Sequence, residues 1–187
     1  MIGDLPKALT VHGREYGINT DYRDVLTILE AFDDPNLQDD EKAGICLMIL
    51  YEDYRQIPPE DYTEAYEKAV KFIDYGQSPK KGQGRKLMDW EQDETIIFPA
   101  INKVAGREVR EAEYIHWWTF LGYYMEIADG IFSRVVSIRA KKQKGKKLEK
   151  WETEFYQANM DLINIKAKLS DKEKERRDRI KKLLDGV

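Results

Sequence analysis

Residues 88–139 constrain the fold more than any other part of the chain. The segment opens on the carboxylate-rich Asp89-Trp90-Glu91-Gln92-Asp93-Glu94 and passes into the apolar Ile96-Ile97-Phe98. After a charged turn it reaches Tyr114-Ile115-His116-Trp117-Trp118-Thr119-Phe120-Leu121. A helix that is apolar nearly all round belongs in an interior. Adjacent tryptophans with Tyr, Phe, Leu and Met supply large buried area, so this stretch predicts the centre on which the remainder packs. The sequence places no nucleophile, metal cluster or phosphate loop beside it. The pattern points to a binding or assembly protein rather than an enzyme, and no cofactor is implied.

A length of 187 residues fits one domain, or one domain with an appendage. Charged residues make up 35% of the chain while Pro is held to six, which favours long helices with solvated faces. One cysteine, Cys46, excludes an internal disulfide and fits a reducing cytoplasm. It sits in the apolar run Ile45–Leu50, where a small buried hydrophobe is expected rather than a reactive thiol. With Asp4 near the start and no basic-then-apolar pattern, no signal peptide is expected. No apolar run approaches the ~20 residues of a membrane span.

Charge divides unevenly. Residues 139–187 carry 16 Lys and Arg against 9 Asp and Glu, a net of +7, which leaves −11 for residues 1–138. A basic tail on an acidic body seeks something acidic: nucleic acid, a partner, or the body itself.

The periodicities predict a mainly all-α protein, a bundle of about six to seven helices opened by a short β-hairpin. Residues 1–169 form the helical domain with its hairpin, and 170–187 a charged C-terminal helix with few apolar anchors. The hairpin is expected over 8–18 around His12-Gly13. Asn19 or Thr20 is expected to cap a helix to Phe32, and a second helix runs over 39–53. Pro58-Pro59 opens a third that Gly76 ends, and 77–87 is a flexible loop. A fourth spans 89–104, kinked or divided at Pro99. The Trp-rich helix covers 111–129, with Tyr114, Trp117, Trp118, Leu121 and Met125 on one face. Gly130 breaks it before the apolar 131–138, and 141–147 is a basic break. A further helix runs over 148–169 with Trp151, Phe155 and Leu162 on its apolar side. Ser170 and Glu173 form a capping box for the last helix.

Each candidate site has a plain structural alternative. Asp89, Glu91, Asp93 and Glu94 at a helix start are read as partners of the helix dipole rather than metal ligands. His116, alone among aromatics, is read as a structural hydrogen-bonding residue, because catalysis needs a positioned partner. Asp33–Glu41 lacks the glycine and terminal glutamate of an EF-hand and is read as a turn and cap. Gly82-Gln83-Gly84-Arg85-Lys86 lacks Walker spacing. Trp90 is read as core, with an interface anchor as the alternative. Arg139, Lys141, Lys142 and Lys144 lack interleaved aromatics, which disfavours nucleic acid and leaves a solvated loop or an acidic protein partner.

The central block resembles the bacteriophage "gene product fifteen" family of long-tailed phages and prophages of Gram-positive bacteria. The resemblance rests on Asp89-Trp90-Glu91-Gln92-Asp93, Ile96-Ile97-Phe98, His116-Trp117-Trp118-Thr119-Phe120 and Val135-Val136-Ser137-Ile138-Arg139. Tyr16–Arg23 also looks like the family's opening, so the likeness covers most of 5–165. The chain departs at Arg107-Glu108-Val109, where the family more often has an aspartate-containing turn. In such genomes the gene typically lies between the major tail protein and the tape-measure protein. The resemblance therefore implies a cytoplasmic tail assembly chaperone for the tape-measure protein or other tail assembly proteins, with self-association open. It brings no catalytic residues. A nucleic-acid-binding regulator and a minor virion component are the competing readings.

Overall fold

The computed structural model describes residues 3–76 and 86–184. Most of the loop expected over 77–87, with its glycine-rich run, lies outside the described residues. Strands β1 (Ala8–Val11) and β2 (Arg14–Gly17) form the expected hairpin, with Val11 opposite Arg14 and Ala8 opposite Gly17. Its turn residues His12 and Gly13 have φ of 44° and 80°, the pair of positive values a type I′ turn requires.

Three helices follow: α1 (Tyr22–Asp33), α2 (Asp39–Leu50) and α3 (Tyr62–Ile73). α1 packs on α2, α2 on α3, and β1 on α3. The cap of α1 is Asp21, not Asn19 or Thr20; its carboxylate accepts the Arg23 N–H at 3.0 Å. Asn19 serves the far end of α2 instead. Its backbone N–H donates to the Leu50 carbonyl and its side-chain amide to that of Ile49, each at 2.7 Å. α2 consequently stops at Leu50 rather than 53, and Tyr51 turns extended to bridge Ile18. A short 3-10 turn, Pro59–Asp61, precedes α3.

α4 (Glu94–Ala105) starts later than expected, because Asp89–Asp93 form turns. It runs undivided through Pro99, which faces solvent while Ile97, Phe98 and Ile101 hold the buried side. Gly106 closes it in the left-handed region (φ 70°), donating to the Asn102 carbonyl. α5 (Trp117–Met125) is shorter than the 111–129 expected. Residues 112–116 lie outside helix, with His116 bridging Asp21; Tyr114 and Met125 are exposed rather than on a packed face.

After Gly130 come α6 (Ile131–Gln143), α7 (Lys150–Ala158), the single-turn α8 (Met160–Ile163) and α9 (Asp171–Leu184). The basic break is thus confined to residues after Gln143, since Lys141 and Lys142 remain helical. The helix expected over 148–169 divides at Asn159 and ends at Ile163. The expected capping box at α9 is present: Ser170 N–H donates to Glu173 at 2.8 Å. The architecture is mainly α with a two-stranded hairpin, and the described residues hold more helical segments than the six to seven expected.

The main core joins the hairpin, α1–α5 and the start of α6. At its centre Phe120 stacks on Tyr22, with ring centroids 4.2 Å apart and planes 9° from parallel. A smaller cluster of Val135, Ile138 and Ile163 joins α6 to α8.

Candidate functional site

Arg139 on α6 is a buried cation. Phe132, Val135 and Arg139 fall at helical spacing on the buried side, so the guanidinium is carried inward with the core residues. Asp93, one residue before α4, meets it with both carboxylate oxygens, at 2.6 Å (Nη1) and 2.8 Å (Nη2). The remaining donors go to backbone: Nε to the Ile163 carbonyl at 2.7 Å, Nη2 to Leu162 at 2.7 Å, and Nη1 to Leu87 at 3.0 Å. All five N–H donors of the guanidinium are therefore engaged. These bonds also explain why α8 is one turn long: Arg139 takes the carbonyls a continuing helix would use.

Asp89 is buried beside this pair. Its Oδ1 accepts the N–H groups of Glu91 (3.1 Å) and Gln92 (2.9 Å), and its own N–H donates to Asp93 Oδ2 at 3.0 Å. Just ahead of the first residue of α4, Asp89 thus closes a turn and Asp93 forms an ion pair.

The aromatic residues act as fasteners. His116 caps α5: its Nδ1 accepts the Trp118 N–H at 3.0 Å, which leaves Nε2 to donate to the Pro6 carbonyl at 2.9 Å. Trp117 and Trp118 donate their indole N–H groups, each at 2.9 Å, to the carbonyls of Ile73 and Phe72 at the end of α3. Phe120 is fully buried. Trp90 is half-buried against Trp117, Phe120 and Tyr124.

The basic candidates separate in space. Lys141 reaches Glu152 on α7 at 2.7 and 2.8 Å. Glu152 is buried, also accepts the Glu149 N–H, and its carboxyl is held below the ordinary value, first by the Lys141 hydrogen bond. Lys142 lies 3.4 Å above the Tyr156 ring and contacts Asn164 at 3.2 Å; the Tyr156 phenol is lowered first by its hydrogen bond with Lys142 and then by that with Asn164. Lys144 is exposed past the end of α6.

Beside Arg139 runs an open groove of about 990 Å³ whose lining includes the apolar Phe32, Leu87 and Ile163. One wall is residues 164–168, which carry no helix. The side chain of Gln92 grips this segment as a peptide group would: its amide donates to the Lys166 carbonyl and accepts the Lys166 N–H, both at 2.8 Å. Lys168 pairs with Glu91 at 2.8 Å, and Asn36 accepts the Asp171 N–H at 2.9 Å. Sequence reasoning missed Gln92, Glu152 and Lys166. The inward phase of Arg139 with Phe132 and Val135 was a readable signal; the Gln92 and Glu152 contacts had none.

A family model described as Bacteriophage Gp15 protein matches residues 1–165. The chain belongs to the bacteriophage Gp15 family. Comparison with curated proteins and with solved structures gives no match. The span this Gp15 protein shares with its family holds Asp93, Arg139, Lys141 and Glu152, and it ends before Lys166 and α9. Among the described residues, no group of three or more His, Cys, Asp or Glu side chains is placed to hold a metal ion. No helix there is long and apolar enough to cross a membrane.

Proposed function

We propose that this Gp15 protein is a non-enzymatic tail assembly chaperone that keeps the tape-measure protein soluble in the host cytoplasm until tube subunits assemble around it. The observation that carries the reading is the exposure of Trp151 (53%) and Met160 (50%) on α7 and α8. The sequence pattern assigns Trp151 to a packed face. Trp is enriched where binding energy concentrates, and Met adapts to irregular apolar surfaces. Met125 and Ile131 at the α5–α6 junction are exposed as well. A tape-measure protein is long, helical and striped with apolar residues, and such stripes need shielding. The net charge of −11 over residues 1–138 supplies solubility to the complex.

The nucleic-acid reading is weakened by the engagement of Arg139, Lys141 and Lys142 within the chain. The test is co-expression with the tape-measure protein of the same genome. A soluble complex is expected, with tape measure aggregating alone and Trp151→Glu with Met160→Glu losing the rescue. Unchanged tape-measure solubility, or the Gp15 protein in purified virions at structural stoichiometry, would sink the reading.

A further inference from the structure

We propose that the groove beside residues 164–168 binds an extended acidic peptide, which adds to this segment as a β-strand. The proposal concerns a different surface from Trp151 and Met160 and does not rest on the chaperone reading. Its first support is the backbone. Gln92 takes both polar groups of Lys166. Along an extended chain, alternate residues present their N–H and C=O to opposite edges. Residues 164–168 carry no helix, and an extended course there would turn the groups of Ile165 and Ala167 away from Gln92; both residues line the groove. Neither residue's N–H has a partner among the described residues. Such an edge is the template that strand addition uses.

The second support is charge. Lys42, Lys86, Lys142, Lys166 and Lys168 line the groove along with Arg139, against Asp33 and Asp89. Lys86 is paired with Asp33, Lys168 with Glu91, and Arg139 with Asp93. The side chains of Lys42 and Lys166 have no partner among the described residues. The groove thus offers positive charge on a protein whose residues 1–138 carry a net of −11. Its lining also includes the apolar Phe32, Leu87 and Ile163, so the matching peptide alternates acidic and apolar residues. Apolar lining residues and a free strand edge favour a peptide over nucleic acid, whose long phosphate backbone would meet the acidic body.

The test uses the purified full chain and a labelled short peptide of alternating Glu and Val, read by fluorescence anisotropy at low salt. Saturable binding is expected, weakened several-fold by Lys42→Glu with Lys166→Glu. Ala167→Pro removes one edge donor without altering charge, and is expected to weaken binding about fivefold. Circular dichroism confirms that each variant is folded. Two further peptides, N-methylated at odd or at even residues, test the ladder from the ligand side even if the proline variant misfolds. Loss with one methylation pattern and retention with the other supports strand addition. Equal binding by both, no binding at low salt, or tighter binding of an oligothymidylate that displaces the peptide overturns the proposal.

Discussion

Asp93 and Arg139, 46 positions apart in sequence, meet as a two-point ion pair with side chains only 1% and 6% exposed. The charges are compensated only while both are present. Asp93→Asn or Arg139→Met strands one buried charge, and a loss of about 3–5 kcal/mol is expected for either. Replacing both together with apolar residues of similar volume is expected to recover part of that loss. Denaturant titrations of the two single variants and the double variant measure the coupling; strictly additive losses would show that the pair acts as two independent sites.

Trp117 and Trp118 close the end of α3 through their indole N–H groups. Trp117→Phe leaves the Ile73 carbonyl without its donor in a buried setting, at an expected cost of about 1–3 kcal/mol. Trp118 is half-buried, so water can replace its bond to Phe72, and Trp118→Phe is expected to cost less. Thermal melts that rank the two in the opposite order would refute this division of labour.

Burial pushes the Cys46 thiol up to about 12. Only the thiolate attacks disulfide reagents. In the folded protein, Cys46 is therefore expected to resist an aromatic disulfide reagent at mildly alkaline pH and to react fully in denaturant. Fast labelling without denaturant would mean that the α2–α3 contact opens readily.

Glu152 is held below its ordinary value of 4.5 by Lys141 and by the Glu149 N–H. A carboxylate with a depressed folded-state value stabilises the fold at pH above the ordinary value. That contribution is lost as pH falls through the lower folded value. The wild type is therefore expected to melt higher than Glu152→Gln near neutrality, with the gap closing in acid. A gap that persists at the acid end would assign the effect to packing instead.

Local chemistry carried much of the fold in readable form. His12-Gly13, the helical spacing of α3, Gly130 and the Ser170–Glu173 box act over a few residues, and the structure has them where the pattern put them. The errors lie where distant groups take over backbone positions. Asn19 looked like a helix cap and in fact closes α2 from outside. The start of α5 is delayed because the N–H of Trp117 donates to the Thr20 carbonyl at 2.7 Å, tying the approach to α1. The helix over 148–169 has acceptable local propensity but yields its carbonyls at 162 and 163 to Arg139. At the candidate site, residue types were legible and partners were not. Asp93, Arg139 and Lys141 stood out by charge, while Gln92 and Glu152 became visible only through contacts that no short window contains.

The five-donor arrangement at Arg139 also bears on how the chain assembles. The guanidinium is satisfied only when residues 87–93, α6 and α8 have all arrived. A state with α6 docked and either other segment absent holds a cation in a partly dried site with empty donors. Such half-built states lie high in free energy, so this part of the protein closes and opens as one unit. Amides of α6 and α8 should accordingly exchange with solvent together, as a single cooperative block distinct from the hairpin.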